Sequence, residues 1–195
     1  MRLKELYLIL LTLSSILSYC QDDEYEKLLS YSDCKKQQNL SLEKRLSNYP
    51  FNKAKEIKII SFTNINIIRD SLIVETQDEI PKTNGKIDLS KVKEIETLTS
   101  SDIDELSDIF YNFGYKENPK IQVNIKCYEP RNAILFLNEK GEIFEYIEIC
   151  FECKKTVESS KKISLGEMCN QKLEMIKQIF KKRNIKFGII DEKQP

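Results

Sequence analysis

The 195-residue chain contains no histidine. That excludes Ser-His-Asp and Cys-His nucleophile pairs, His-ligated metals and a histidine pH switch. Glycine is scarce, at five residues. None sits in a Gly-rich turn after a strand, so no phosphate-cradling loop is expected. Net charge is absent too, with 31 Lys+Arg against 31 Asp+Glu. Nucleic-acid binding needs a basic excess, so no nucleic-acid partner is expected. Alanine occurs only at Ala54 and Ala133, while Ile and Lys each occur 26 times. That bias suits an AT-rich bacterial genome and carries no functional message.

What remains is a globular composition, 41% hydrophobic and 32% charged, long enough for one domain with its own core. Residues 1–20 read as an export signal. Arg2 and Lys4 form a positive start, and Leu6 to Leu17 an apolar run too short for a comfortable membrane span. Two processing routes fit. Cleavage after Cys20 would leave Gln21 first. Alternatively, Leu17-Ser18-Tyr19-Cys20 resembles a bacterial lipobox with Cys20 as the lipidated residue. Tyr19 departs from that pattern, and the acidic stretch Gln21 to Glu24 suits it. The expected organisation is a signal over 1–20, a helical segment over 21–50 and a single α+β domain over 51–195.

The body of the chain reads as strands in runs broken by helices, hence α+β on a mostly antiparallel sheet. Residues 22–49 suggest one broken helix or two short ones, stopped at Asn48-Tyr49-Pro50. Glu56 to Phe62 is extended. Ile65 to Ile68 and Leu72 to Thr76 form a hairpin or meander, and 78–86 is a loop; Val92 to Leu98 spaces its apolar residues by three, a period that fits strand or helix, and is read as a strand. Ser101 to Phe113 is a helix, with Ser101 and Asp104 as its capping box and Gly114 as its C-terminal cap. Ile121 to Cys127 alternates as a half-buried strand with Cys127 on its apolar face. Ala133 to Leu137 and Ile143 to Cys150 form a central hairpin around Asn138 to Gly141. Ser164 to Glu167 reads as the capping box of a last helix over 165–183, with Cys169, Leu173, Ile176 and Phe180 on one stripe.

The cysteines hold the most information. Five follow the signal: Cys34, Cys127, Cys150, Cys153 and Cys169. Hairpin register sets Cys127 opposite Cys153, and helical spacing turns Cys169 inward. The last four are therefore expected to lie together, paired as Cys127–Cys153 and Cys150–Cys169, with Cys34 left over. Disulfides are the expectation for an exported chain. A redox role for Cys150-Phe151-Glu152-Cys153 is the alternative, although this CxxC ends a strand instead of opening a helix. A four-cysteine zinc site would bring two close ligand pairs, and only one is present, so no metal is expected.

Arg131, alone between Arg69 and Arg183, is a candidate anion clamp or the partner of Glu148 or Glu129. Glu142, Glu145, Glu148 and Glu152 read as a solvated face, too widely spaced on a strand for paired acid–base work. No catalytic residue and no cofactor is expected.

The segment CYEPRNAI…GEIFEYIEICFEC…C, from Cys127 to Cys169, resembles small exported bacterial proteins, and the N-terminus resembles a lipoprotein signal. The first resemblance covers about a quarter of the chain and implies no activity. Together these features lead to an expectation of an envelope-associated, periplasmic, cell-surface or secreted protein. It would bind a protein partner, as an inhibitor or immunity factor does, and touch a membrane only through a lipid anchor on Cys20. The alternative is a thiol–disulfide redox protein using Cys150 and Cys153.

Overall fold

The computed structural model describes residues 25–63, 65–67, 74–76, 79–83, 86–120 and 127–189. The signal segment with Cys20, and the alternating run over 121–126, lie outside the described residues. The fold is α+β, with four helices, a five-stranded antiparallel sheet and three two-stranded pairs.

The large sheet follows from the Ile-rich and alternating runs. Strands β2 (Glu56–Phe62), β7 (Val92–Thr97), β9 (Asn132–Leu137), β10 (Ile143–Cys150) and β11 (Lys155–Glu158) stand in the order β11-β10-β9-β2-β7. All six residues of β9 are buried. Ile134 and Phe136 face one core with Ile57, Ile59, Ile147 and Ile149. Ala133, Leu135 and Leu137 face a second with Ile60, Phe62 and Ile80. This is the central hairpin that its two apolar faces predict. Its turn needs a positive φ, which Gly141 supplies at 74°. Asn138 completes it by accepting at Oδ1 from the backbone N–H groups of Lys140 and Glu142.

Helices α3 (Ser100–Asn112) and α4 (Lys172–Lys182) cover the first face, contributing Leu106, Ile109, Phe110, Leu173, Ile176, Ile179 and Phe180. The second face is covered by the connection around Ile80 and by the small pair β5 (Lys82–Thr83) and β6 (Lys86–Ile87), where a plain loop is expected. Strands β3 (Ile65–Ile67) and β4 (Val74–Thr76) pair as the expected hairpin, whose turn lies outside the described residues. The N-terminal segment gives two short helices, α1 (residues 25–30) and α2 (Leu42–Leu46), separated by β1 (Cys34–Lys36). That strand pairs with β8 (Phe113–Tyr115) directly after α3. Gly114 is thus a strand residue and not a helix cap.

Both capping boxes differ from expectation. Helix α3 starts one residue early and its capping box lies two residues early: the Thr99 hydroxyl accepts from the Asp102 N–H, and the Asp102 carboxylate accepts from the Thr99 N–H at 2.9 Å. Threonine ranks below serine as a cap, but here Asp102 gains further partners. Arg183 donates from Nε at 2.6 Å, and Lys182 Nζ lies 2.9 Å away. The Ser164–Glu167 box does not form at all; α4 begins only at Lys172. Gly166 sits at φ +69°, where a Cβ would meet the Phe110 carbonyl oxygen at 2.5 Å, so this stretch cannot be helical. The fully buried Lys172 explains the detour. Its ammonium donates to the carbonyls of Leu165 and Phe113 at 2.8 Å and of Phe110 at 3.2 Å. Three donors meet three carbonyls, two of which the end of α3 leaves without helical partners. Burial nonetheless pulls the Lys172 pKa down to about 8, with Glu167 opposing.

Asp102 is fully buried in its side chain and charged. Burial alone would raise its pKa, but Thr99, Lys182 and Arg183 hold it far below the ordinary carboxylate range. A depressed folded pKa gives stability that is present above the unfolded value of about 4 and lost as pH falls below it. Asp102→Asn should cost about 2–3 kcal/mol at neutral pH, because the two cations keep partial access to water. It should also flatten the acid limb of the stability profile, read as urea midpoints between pH 7 and pH 3.

Candidate functional site

The chemistry gathers where β10 ends and turns into β11. Cys127 and Cys153 are bonded, with Cα atoms 5.7 Å apart. This is the pairing that hairpin register suggests. Cys150 is a free thiol, 2% exposed, and the Cys153 N–H donates to its sulfur at 3.3 Å. Cys169 is bonded to Cys34, not to Cys150, with Cα atoms 4.9 Å apart. Cys34 is therefore not the odd cysteine; Cys150 is. The reason lies in the N-terminal segment. Pairing of β1 with β8 carries Cys34 to the stretch before α4, where the Gln171 side chain accepts from the Cys34 N–H at 2.7 Å. Cys169 is buried as expected, but precedes the helix. Cys127 is exposed, outside any described strand. With four sulfurs in two bridges, they are not free to ligate zinc. Among the described residues no group of three or more His, Cys, Asp or Glu is placed to hold a metal.

Beside the thiol stands a carboxylate that alternation assigns to solvent. Glu148 is 2% exposed and Glu145 6%, so neither belongs to a solvated face. They do point oppositely, as strand geometry requires. Glu145 accepts from the hydroxyls of Tyr49, Ser159 and Ser160. Burial would raise its pKa, and these donors bring it below its ordinary value. Glu148 accepts from the Ile80 N–H at 2.7 Å and from the Tyr128 hydroxyl at 2.8 Å. Here burial wins and the carboxyl pKa is raised, against the pull of Ile80, Tyr128 and Lys82. The Tyr128 hydroxyl is pushed up in turn, first by burial and then by Glu148. Lys155 Nζ stands 5.3 Å from the Tyr128 ring centroid.

Arg131 reaches Glu152 at 3.1 Å and Glu129 at 3.8 Å. The pairing with Glu129 matches one expected partner. The other, Glu148, is taken by Tyr128 and Ile80. Arg131 thus spans the chain on both sides of the Cys127–Cys153 bridge. Sequence reasoning missed Glu148, because its partners arrive from residues 80 and 128. The one signal in the strand itself was a glutamate flanked by Ile147 and Ile149 on a strand apolar on both faces.

Compared with family models, curated proteins and solved structures, the chain finds no match.

Two predictions follow from the site. Cys34→Ser should lower stability by about 3–5 kcal/mol in urea unfolding, since that bridge closes a loop of sequence separation 135. Glu148→Gln tests the buried carboxylate. A raised folded pKa means that the folded state favours the proton, so Glu148 weighs against folding as pH rises through that pKa. The variant should gain on the wild type between pH 4 and pH 8. A pH-independent difference in urea midpoint would contradict the assignment.

Proposed function

We propose that this chain is an exported bacterial envelope protein that works by binding another protein, without turnover. The observation that carries this reading is the pair of disulfides, Cys34–Cys169 and Cys127–Cys153. Such bonds persist in oxidising compartments, in keeping with the signal-like residues 1–20. The bridges tie the N-terminal segment to the stretch before α4 and the approach to β9 to the turn between β10 and β11, which gives a fixed surface of mixed charge. The sheet edges are the natural contact surfaces. Strand β7 exposes Ile95 at 43% and β11 exposes Val157 at 40%, and among the described residues these are the two edge strands of the sheet.

A photo-crosslinking residue at position 95 or 157, in the full chain expressed with its own signal, tests the reading. The expected result is one discrete crosslinked envelope protein and a processed N-terminus at Cys20 or Gln21. An intact Met1 on the native protein, with no crosslink from either edge, would overturn it. Mass spectrometry of that N-terminus separates a lipid-bearing Cys20 from a free Gln21.

The second reading is a thiol–disulfide redox protein using Cys150 and Cys153. One observation favours it: Cys150 is a free thiol beside a bonded cysteine. The bond runs from Cys153 to Cys127, so the resting form is not a CxxC disulfide.

A further inference from the structure

The free thiol of Cys150 stands against one half of a bridge, Cys153. Cys150 ends β10, and Cys153 lies in the turn before β11. Both are buried, at 2% and 4% exposure. The 3.3 Å contact from the Cys153 N–H fixes the Cys150 sulfur against the residue whose own sulfur is already bonded. Cys127, at the far end of that bond, is exposed. A thiol held beside a disulfide is placed to attack it intramolecularly, and burial shields the Cys153 half of the bond from dissolved thiols.

We propose that Cys150 is the resident nucleophile of an internal disulfide exchange that presents Cys127 as a free surface thiol. The Cys150 thiol loses its proton to water, and its sulfur forms a bond to Cys153 Sγ. The Cys153–Cys127 bond breaks, and its electron pair leaves on Cys127 Sγ, which takes a proton from water. One thiol and one disulfide stand on each side, so no oxidant or reductant is consumed. The exchange shortens the bridged separation from the 26 residues of Cys127–Cys153 to the step from Cys150 to Cys153. It also unties the chain ahead of Tyr128, while the hydrogen bond from Tyr128 to Glu148 holds the other side. In one register the thiol is sealed in the sheet; in the other it is available to a disulfide or electrophile on a partner. This exchange stands independently of the binding reading.

The test is native labelling of the full-length oxidised protein with N-ethylmaleimide, followed by peptide mapping without reduction. Label should accumulate on Cys127 while the Cys150 and Cys153 peptides become linked, faster at pH 8.5 than at pH 6.5. The Cys34 and Cys169 peptides should stay joined and unlabelled. Cys150→Ser should lower Cys127 labelling by about tenfold or more. Label entering only at Cys150, label entering nowhere, or Cys127 labelling unchanged in Cys150→Ser would each overturn the proposal. A second variant covers a failure of Cys150→Ser to fold. Cys127→Ser, oxidised with glutathione disulfide, should form Cys150–Cys153 and retain no free thiol among Cys34, Cys150, Cys153 and Cys169. Two free or glutathionylated cysteines at 150 and 153 would show that the second register is out of reach.

Discussion

The rest of the structure depends on one constraint: β9 must be covered on both sides. A strand with six consecutive buried residues cannot sit at an edge or on a half-solvated sheet. It requires β10 and β2 as lateral neighbours and a separate apolar layer above and below. The two long helices supply one layer, the connection around Ile80 the other. That second layer is thin, and polar groups from the sheet reach into it. Glu148 and Tyr128 meet there, and their hydrogen bonds replace the water that the layer displaces.

The same logic accounts for the buried charges on the helical side. Lys172 and Asp102 both anchor helix ends, but in opposite senses. Lys172 gathers carbonyls at the end of α3 and ahead of α4, as a cation does near a helix C-terminus. Asp102 serves the start of α3 and draws in the last residues of α4 through Lys182 and Arg183. The helices are thereby joined at one end by hydrogen bonds from a buried ammonium and at the other by ion pairs, as well as by the apolar seam. Arg45 adds a third tie, from α2 to Asp104 and Asp108 on α3.

Local pattern carried much of the sheet. The Ile-rich run gives β2, the hairpin around Asn138 and Gly141 gives β9 and β10, and the ambiguous 92–98 segment is indeed a strand. These features depend on neighbours in sequence, where alternation and turn chemistry are decisive. Misreadings arise where a residue answers to a distant partner. Ser164 to Glu167 has the letters of a capping box, yet the pull of Lys172 on the α3 carbonyls and the positive φ of Gly166 keep the segment unwound. Glu145 and Glu148 look solvated until Tyr49, Ser159, Tyr128 and Ile80 arrive from elsewhere. Cys34 looks unpaired because its partner depends on an N-terminal strand too short to announce itself, with three residues that show no alternation. The Cys127–Cys153 bond agrees with the pairing that extended hairpin register suggests, although the ladder ends at Asn132–Ile149 and both cysteines lie beyond it.

The bridge from Cys34 to Cys169 also imposes an order in time. A chain that emerges N-terminus first exposes Cys34 long before Cys169, which follows 135 residues later. During that interval Cys127, Cys150 and Cys153 all become available to it. Its native partner is the last of the five to appear. The amino-terminal segment therefore cannot receive its covalent tie until nearly the whole body has been delivered, and any earlier disulfide at Cys34 has to be undone. Correct assembly rests on the β1–β8 contact arriving before a wrong cysteine does, so a three-residue strand acts as the timekeeper of the fold.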